Sequence, residues 1–258
     1  RRVLFRSGLD LDRAWMVVDD QGGFVTQREL PRMALVQVEL KLHQVVLRAP
    51  GMLALHLEID RVEQPARVRV WDDEVPAWDM GAIAAQWFSD FLGRRLRLVR
   101  FDPEHRRLSS LKWTGGVEAP NQFSDGFPVL VASEASLAML NERLAATGQP
   151  PVGMERFRPN LVISGVPAHD EDRLGTLRIA ADEPVRLQLV KPCARCPIPD
   201  IDPATAQSHP AVGDALRAYR SLPAIGGAVA FGMNAIVREG DGAMLQVGQV
   251  VLADWRFD

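Results

Sequence analysis

Short runs of β-forming residues, each closed by a turn signal, follow one another along most of the chain, and this rhythm limits the fold more than any other feature. Residues 15–18 and 24–26 flank Asp19-Asp20-Gln21-Gly22-Gly23, with β-formers on each side of glycines that accept positive φ, which predicts a hairpin. Residues 35–42 alternate partly apolar and polar, as a half-buried strand does. Runs at 45–47, 52–59, 66–71 and 96–101 continue the pattern, with Pro50-Gly51 turning the chain between two of them. In the second half the runs are 127–132, 161–164, 185–190, 228–237 and 244–253, the last two around the turn Glu239-Gly240-Asp241-Gly242.

Helical periodicity interrupts this rhythm in few places. Residues 82–92 put Ile83, Trp87, Phe88, Phe91 and Leu92 on one face, and Gly93 is the stop. Ser133 is the N-cap of a second helix, with Glu134 in its first turn and Gly148 after its end near Thr147. A shorter helix covers 212–220. The expectation is a β-dominated α+β chain of two barrel-like domains with two or three helices, divided softly near residue 115 into 8–115 and 116–258.

Composition narrows the function classes. No stretch approaches 18 uninterrupted apolar residues, so no transmembrane span is expected. A net charge of −3 gives no support to a nucleic-acid partner. The basic residues are 27 arginines and only Lys41, Lys112 and Lys191. A GC-rich genome produces such a bias, and so do arginines that hold anions through rigid forks; only position separates the two. Residues 1–7, Arg-Arg-Val-Leu-Phe-Arg-Ser, carry no signal-peptide pattern. They read as a non-native, adapter-like segment, which puts the native start near Gly8 and leaves something missing upstream, or alternatively as a true interior strand fragment.

Chemistry is concentrated at Cys193-Ala194-Arg195-Cys196. Two cysteines alone build neither a four-thiolate zinc site nor an iron–sulfur cluster within one chain. The spacing admits a redox dithiol, although Pro197 and Pro199 disfavour the helix that normally follows one. It also admits a zinc half-site, a single thiolate on a soft metal with Arg195 favouring the thiolate, or two ordinary buried cysteines. Arg158 and Asn160 stand two apart before a strand and can converge on one anion or cap a turn. Arg13 at a strand start and Asp125 in a turn have equally plain structural explanations. No P-loop, dinucleotide fingerprint, nucleophile elbow or zincin helix is present.

Several of these pieces, in this order, resemble one family: the MOSC-domain molybdenum-cofactor proteins, in the branch with an N-terminal β-barrel domain that contains the bacterial YcbX-type proteins and the mitochondrial amidoxime-reducing component. The pieces are Asp12-Arg13-Ala14-Trp15, Phe24-Val25-Thr26-Gln27-Arg28 with Pro31-Arg32, Ala84-Ala85-Gln86-Trp87, Phe123-Ser124-Asp125-Gly126-Phe127-Pro128, Ser133-Glu134-Ala135-Ser136-Leu137, Phe157-Arg158-Pro159-Asn160 and Cys193-Ala194-Arg195-Cys196. The likeness runs from Gly8 onward, so 8–115 corresponds to the N-terminal barrel and 116–258 to the MOSC domain.

The resemblance implies a pterin-based molybdenum cofactor (molybdopterin) and an oxidoreductase that reduces N-hydroxylated compounds to amines. Cys196 corresponds to the metal ligand. Arg13, Arg158 and Asn160 correspond to groups that hold the pterin and its phosphate, Asp125 to an acidic residue near the metal, and Asn234 to a Gly-x-Asn position of bacterial members. Gly126 and Phe127 depart from the mitochondrial pattern of hydroxyl residues. A Lys-Ser pair on the family's first strand would precede Gly8 and is absent, and no ferredoxin segment with cluster cysteines follows. The electrons would then come from a separate donor, a ferredoxin- or cytochrome-type protein with its reductase, in a bacterial cytoplasm. The alternative implied by the family is a non-catalytic cofactor carrier or a persulfide-transfer module.

Overall fold

In a computed structural model, which describes residues 2–256, strand pairing crosses the linear order of the chain. Residues 13–106 with 201–208 form one compact unit, and residues through 12, 107–200 and 209 onward form the other. This differs from a single cut near residue 115. Arg107–Leu108 pairs with Pro120–Asn121, which draws 107–115 into the second unit.

The unit built on 13–106 carries two antiparallel sheets. One runs in the order Trp15–Val18, Arg97–Phe101, Asp73–Asp79, Gln64–Val70, and the other in the order Gln37–Leu40, Gln44–Arg48, Leu55–Glu58. The expected hairpin forms in part: Asp19 Oδ1 accepts from the Gln21 and Gly23 amides, and Phe24 meets Val18 in an isolated bridge. Strand Asp73–Asp79 has no counterpart in the sequence reading, because Pro76 masks it. Pro76 faces Arg67, and pairing with Arg97–Phe101 begins only at Ala77, so its missing N–H interrupts no ladder on that side. The stretch 35–42 opens as a 3-10 turn, Pro31–Leu35, and its strand is mostly exposed rather than half-buried.

Helix Ala82–Leu92 matches its expected limits, with Gly93 in the left-handed region donating to the Ser89 carbonyl. Its buried face is Ala84, Trp87, Phe88, Phe91 and Leu92. Ile83 is 76% exposed and not part of that face. At ~100° of turn per residue it lies about 100° from the centre of the buried stripe.

The other unit is a half-barrel sheet in the order Leu161–Ile163, Val129–Ser133, Ala228–Glu239, Val185–Ala194, Leu174–Ile179, Val251–Trp255. The pair Val129–Ser133 and Leu161–Ile163 is parallel. A parallel pair needs a long crossover, and helix Glu134–Ala146 supplies it. Val131, Leu177, Leu187, Leu189, Met233 and Ala235 line one face of the sheet and form the largest core. Leu140 and Leu144 of the helix pack with Phe157, Val212, Leu216 and Phe231 in a second cluster. Ser133 caps the helix as expected, its Oγ accepting from the Ser136 amide at 3.1 Å.

Three further departures belong to this unit. The described residues hold four α-helices rather than two or three, the fourth being the single turn Leu111–Thr114. The run 244–253 divides into Met244–Leu245 and Val251–Trp255. The expected non-native segment, of which Arg1 lies outside the described residues, supplies strand Arg2–Phe5, paired with Met244–Leu245 and Gly8–Leu9, and Leu4 is fully buried in the core.

Candidate functional site

Strand Val185–Ala194 extends past its expected end at Val190 and carries Lys191-Pro192-Cys193-Ala194 along Ala228–Glu239. Two irregularities re-aim it. Val190 is passed over between the pairs Leu189–Ala235 and Lys191–Asn234, and the ladder slips again between Pro192–Met233 and Ala194–Ala230. Proline has no N–H for the ladder, so the slip falls where pairing is weakest. Opposite it, Gly232 has φ +76°, and a Cβ there would lie 2.6 Å from the Val131 carbonyl oxygen. Only glycine fits, and its left-handed turn sets Phe231 and Asn234 on either side of the kink.

The two cysteines therefore differ. Cys193 ends a strand, Cys196 lies in the loop beyond it, and both are free and half-buried. No α-helix starts at the pair; only the 3-10 turn Ile198–Asp200 follows, unlike a redox dithiol at a helix start. Arg195 binds Cys193 rather than Cys196: its Nη1 donates to Cys193 Sγ at 3.1 Å. Its Nη2 donates to the Phe157 carbonyl at 3.0 Å, and its backbone amide donates to Val229 at 2.8 Å. Its Nε is buried and unpartnered. Arg156 Nη1 adds a second tie to the same loop through the Pro199 carbonyl, at 3.3 Å. Asp200 closes the loop by accepting from the Gly213 amide at 2.8 Å, and burial pushes its carboxyl above the usual range.

Phe157, stacked on Phe231 at 3.9 Å, leads into Arg158, which is exposed and has φ +53°. Left-handed backbone costs a non-glycine residue about 1–2 kcal/mol and persists where the surroundings impose it. Arg13 has the same conformation, φ +54°, in the other unit. Asn160 is firmly held: its amide donates to the Leu130 carbonyl, its Oδ1 accepts from the Leu130 amide at 2.8 Å, and its Nδ2 donates to Asp12 Oδ2 at 2.7 Å. One Nδ2 hydrogen is left for another acceptor. Leu130 pairs with Asn234, and Asn234 with Lys191. Asn160, Leu130, Asn234 and Lys191 thus form a row across three adjacent strands and the turn before the fourth.

Asp125 is exposed, on a loop fixed from behind by Arg107. The buried Arg107 Nη1 donates to the Ser124 carbonyl at 2.6 Å, to Gln122 at 2.8 Å and to Asn121 Oδ1 at 2.7 Å. Sequence reasoning missed Arg107, which sits in a stretch without periodicity, and Lys191, whose Nζ lies 5.0 Å from the Trp113 ring centroid. The signal for Lys191 was available: it is one of three lysines and stands two residues before Cys193.

The chain matches the MOSC N-terminal beta barrel domain over residues 2–95 and the MOSC domain over residues 118–252. It belongs to the MOSC family. The mitochondrial amidoxime reducing component 2 of Bos taurus is 34% identical over 205 residues, 78% of this chain and 59% of its own length. The mitochondrial amidoxime-reducing component 1 of Homo sapiens is 35% identical over 83% of this chain and 64% of its own length. The molybdenum cofactor sulfurase of Homo sapiens is 27% identical over 78% of this chain and 24% of its own length. The chain thus spans about three-fifths of the length of the amidoxime-reducing relatives. Two of these relatives are named for amidoxime reduction and the third for the molybdenum cofactor.

The residues present suit such a group. Among the described residues no three His, Cys, Asp or Glu side chains gather to hold a bare metal ion. A lone thiolate suits a soft metal that arrives with its other ligands attached. In the same unit, the donors of Arg158, Asn160 and Lys191 suit an anionic, hydrogen-bonding body more than a bare cation. Among the described residues no helix is long and apolar enough to cross a membrane.

Proposed function

We propose that this MOSC protein binds the molybdenum cofactor with Cys196 as the metal ligand and reduces N-hydroxylated compounds to amines. The observation that carries the reading is the half-buried Cys196 on a loop tied to the Phe157–Asn160 turn, in a chain whose relatives are named for amidoxime reduction. When bound, the cofactor supplies the two-electron change by which an N–OH group, with two protons, becomes N–H and water. The protein's part is binding and orientation. Cys196 holds the metal through its thiolate. Arg158 and Asn160 hold the anionic tail, Arg158 as a paired-donor fork and Asn160 through its remaining N–H. Asn234, in the same row, faces the same body; Arg13, in the other unit, is assigned to the cofactor on the family resemblance alone. Asp125, on its braced loop, orients the substrate's N–OH group and exchanges protons with it. A separate protein delivers the electrons.

The match to a molybdenum cofactor sulfurase favours one other reading, a cofactor carrier or persulfide-transfer module without turnover. Protein purified from a host that makes the cofactor separates the two. The first reading expects about one molybdenum per chain, loss of the metal in Cys196→Ser, and amine formation from an amidoxime with a chemical reductant. Bound molybdenum without any turnover of N-hydroxylated compounds would support the carrier. Wild-type metal content in Cys196→Ser contradicts both.

A further inference from the structure

Arg195 stands between the two cysteines in sequence, and its guanidinium binds Cys193. One end donates to Cys193 Sγ at 3.1 Å and the other to the Phe157 carbonyl at 3.0 Å. Its guanidinium carbon lies 5.3 Å from the Phe157 ring centroid. The Phe157 carbonyl belongs to the peptide whose nitrogen is that of Arg158. The tilt of that peptide is tied to φ at Arg158, which stands at +53°. The Asn160 end of the turn is fastened by its own bonds to Leu130 and Asp12, whereas at the Phe157–Arg158 peptide the backbone bonds are Phe157 N to the Met154 carbonyl at 3.0 Å and Arg158 N to the Glu155 carbonyl at 3.2 Å.

We propose that Arg195 is a positioning residue that clamps the Phe157–Arg158 peptide to Cys193, holding Arg158 in its left-handed conformation and fixing the anion-binding turn against the loop that carries Cys196. The clamp needs a planar fork with two donors set apart. A lysine ammonium is a point donor and cannot span both acceptors in this way. The assignment rests on the proposed function for what Arg158 holds, and on the geometry alone for the clamp itself.

The test has two arms, with Arg195→Gln and Arg195→Lys beside the wild type. The first uses apoprotein from a host unable to make the cofactor and reads amide hydrogen exchange. Exchange at Arg158 and Asn160 rises about tenfold or more in both variants, while the Val129–Ser133 amides keep their protection. Unchanged exchange at Arg158 and Asn160 in a folded variant overturns the clamp, whatever the protein binds. The second arm measures molybdenum retained after gel filtration of cofactor-loaded protein, in a cycle with Arg158→Ala. Arg195→Gln lowers retention about tenfold, and the double variant retains no less than Arg158→Ala alone, because both act through one contact. A purely structural role gives losses that multiply, and that result overturns the assignment. If the wild type retains no molybdenum, the proposed function fails while the exchange arm still decides the clamp. If the wild type retains it and exchange is unmoved, the clamp fails and the function stands.

Discussion

His169 makes the stability of the MOSC half fall on mild acidification. Its ring is packed against Tyr219 and Phe231, and its Nε2 lies 3.2 Å from the Tyr219 hydroxyl. Its Nδ1 is buried without a partner. Arg220 and Arg143 face it, Arg143 stacking over the Tyr219 ring at 3.9 Å. The acidic groups of the same 3-10 turn are engaged elsewhere: Glu171 accepts from Ser133 and Ser136, and Asp172 from Arg220. Burial first, then the two guanidinium charges, lowers its pKa from 6.5 to about 4. The folded form therefore resists a proton that the unfolded chain accepts. The stabilisation is complete above about pH 6.5 and is lost progressively as pH falls toward 4, with no further loss below. From pH 7 to pH 5 the linkage relation sets an upper limit of about 2 kcal/mol, and solvent screening of this half-buried ring brings the loss to about 1 kcal/mol. The matched control is His169→Asn, since asparagine tolerates the left-handed backbone here, φ +64°, and does not titrate. Urea unfolding followed at pH 7 and pH 5 should show a loss about 1 kcal/mol larger in the wild type than in the variant, the carboxylate contributions cancelling in the comparison. Parallel losses in the two proteins would refute the reasoning.

Three substitutions probe the scaffold around the candidate site. Gly232→Ala places a Cβ 2.6 Å from the Val131 oxygen on left-handed backbone. It should cost about 2–4 kcal/mol in urea unfolding, from strain plus forced separation of two central strands. Ser133→Ala removes both the helix cap and a 3.0 Å donor to the buried Glu171 carboxylate. A loss of about 2–3 kcal/mol is expected, since the cap is worth ~1 and an under-satisfied buried acceptor 1–2. Arg107→Met strips the 121–124 loop of its shared donor. Protease sensitivity should rise around Asp125, with stability reduced by about 2–3 kcal/mol.

Most strands were legible because their alternation and turn glycines act locally; helix 82–92 and the Ser133 cap were legible for the same reason. Strand 73–79 was not, because a proline that happens to face one partner only is indistinguishable in sequence from a strand breaker. The unit boundary was illegible for another reason: residues 2–12 and 201–208 join units that are distant in sequence, and only long-range contacts, such as the pairing of Arg2–Phe5 with Met244–Leu245, reveal it. Motif order proposes Cys196, Arg158, Asn160 and Asn234 as site residues. What could not be read was how the site is held. Asn160 uses most of its amide to fasten Leu130 and Asp12, and Arg195 serves Cys193 and a carbonyl rather than the neighbouring Cys196.

Arg13 and Arg158 sharpen the question that the arginine count raised. An arginine bias of genomic origin falls anywhere the backbone is ordinary. These two, singled out by position, both stand in left-handed backbone, which costs each about 1–2 kcal/mol relative to an extended or helical residue. Nothing in an arginine side chain favours this conformation, so the surrounding chain imposes it, as it does at Leu11, Trp71 and Ala206. At Arg158 the restraint is visible in the neighbouring peptide, whose carbonyl accepts from Arg195. This dedicated contact fixes the local backbone there, and on the proposed function that fixed turn is what presents the guanidinium to the anionic tail, a placement that the arginine count alone cannot specify.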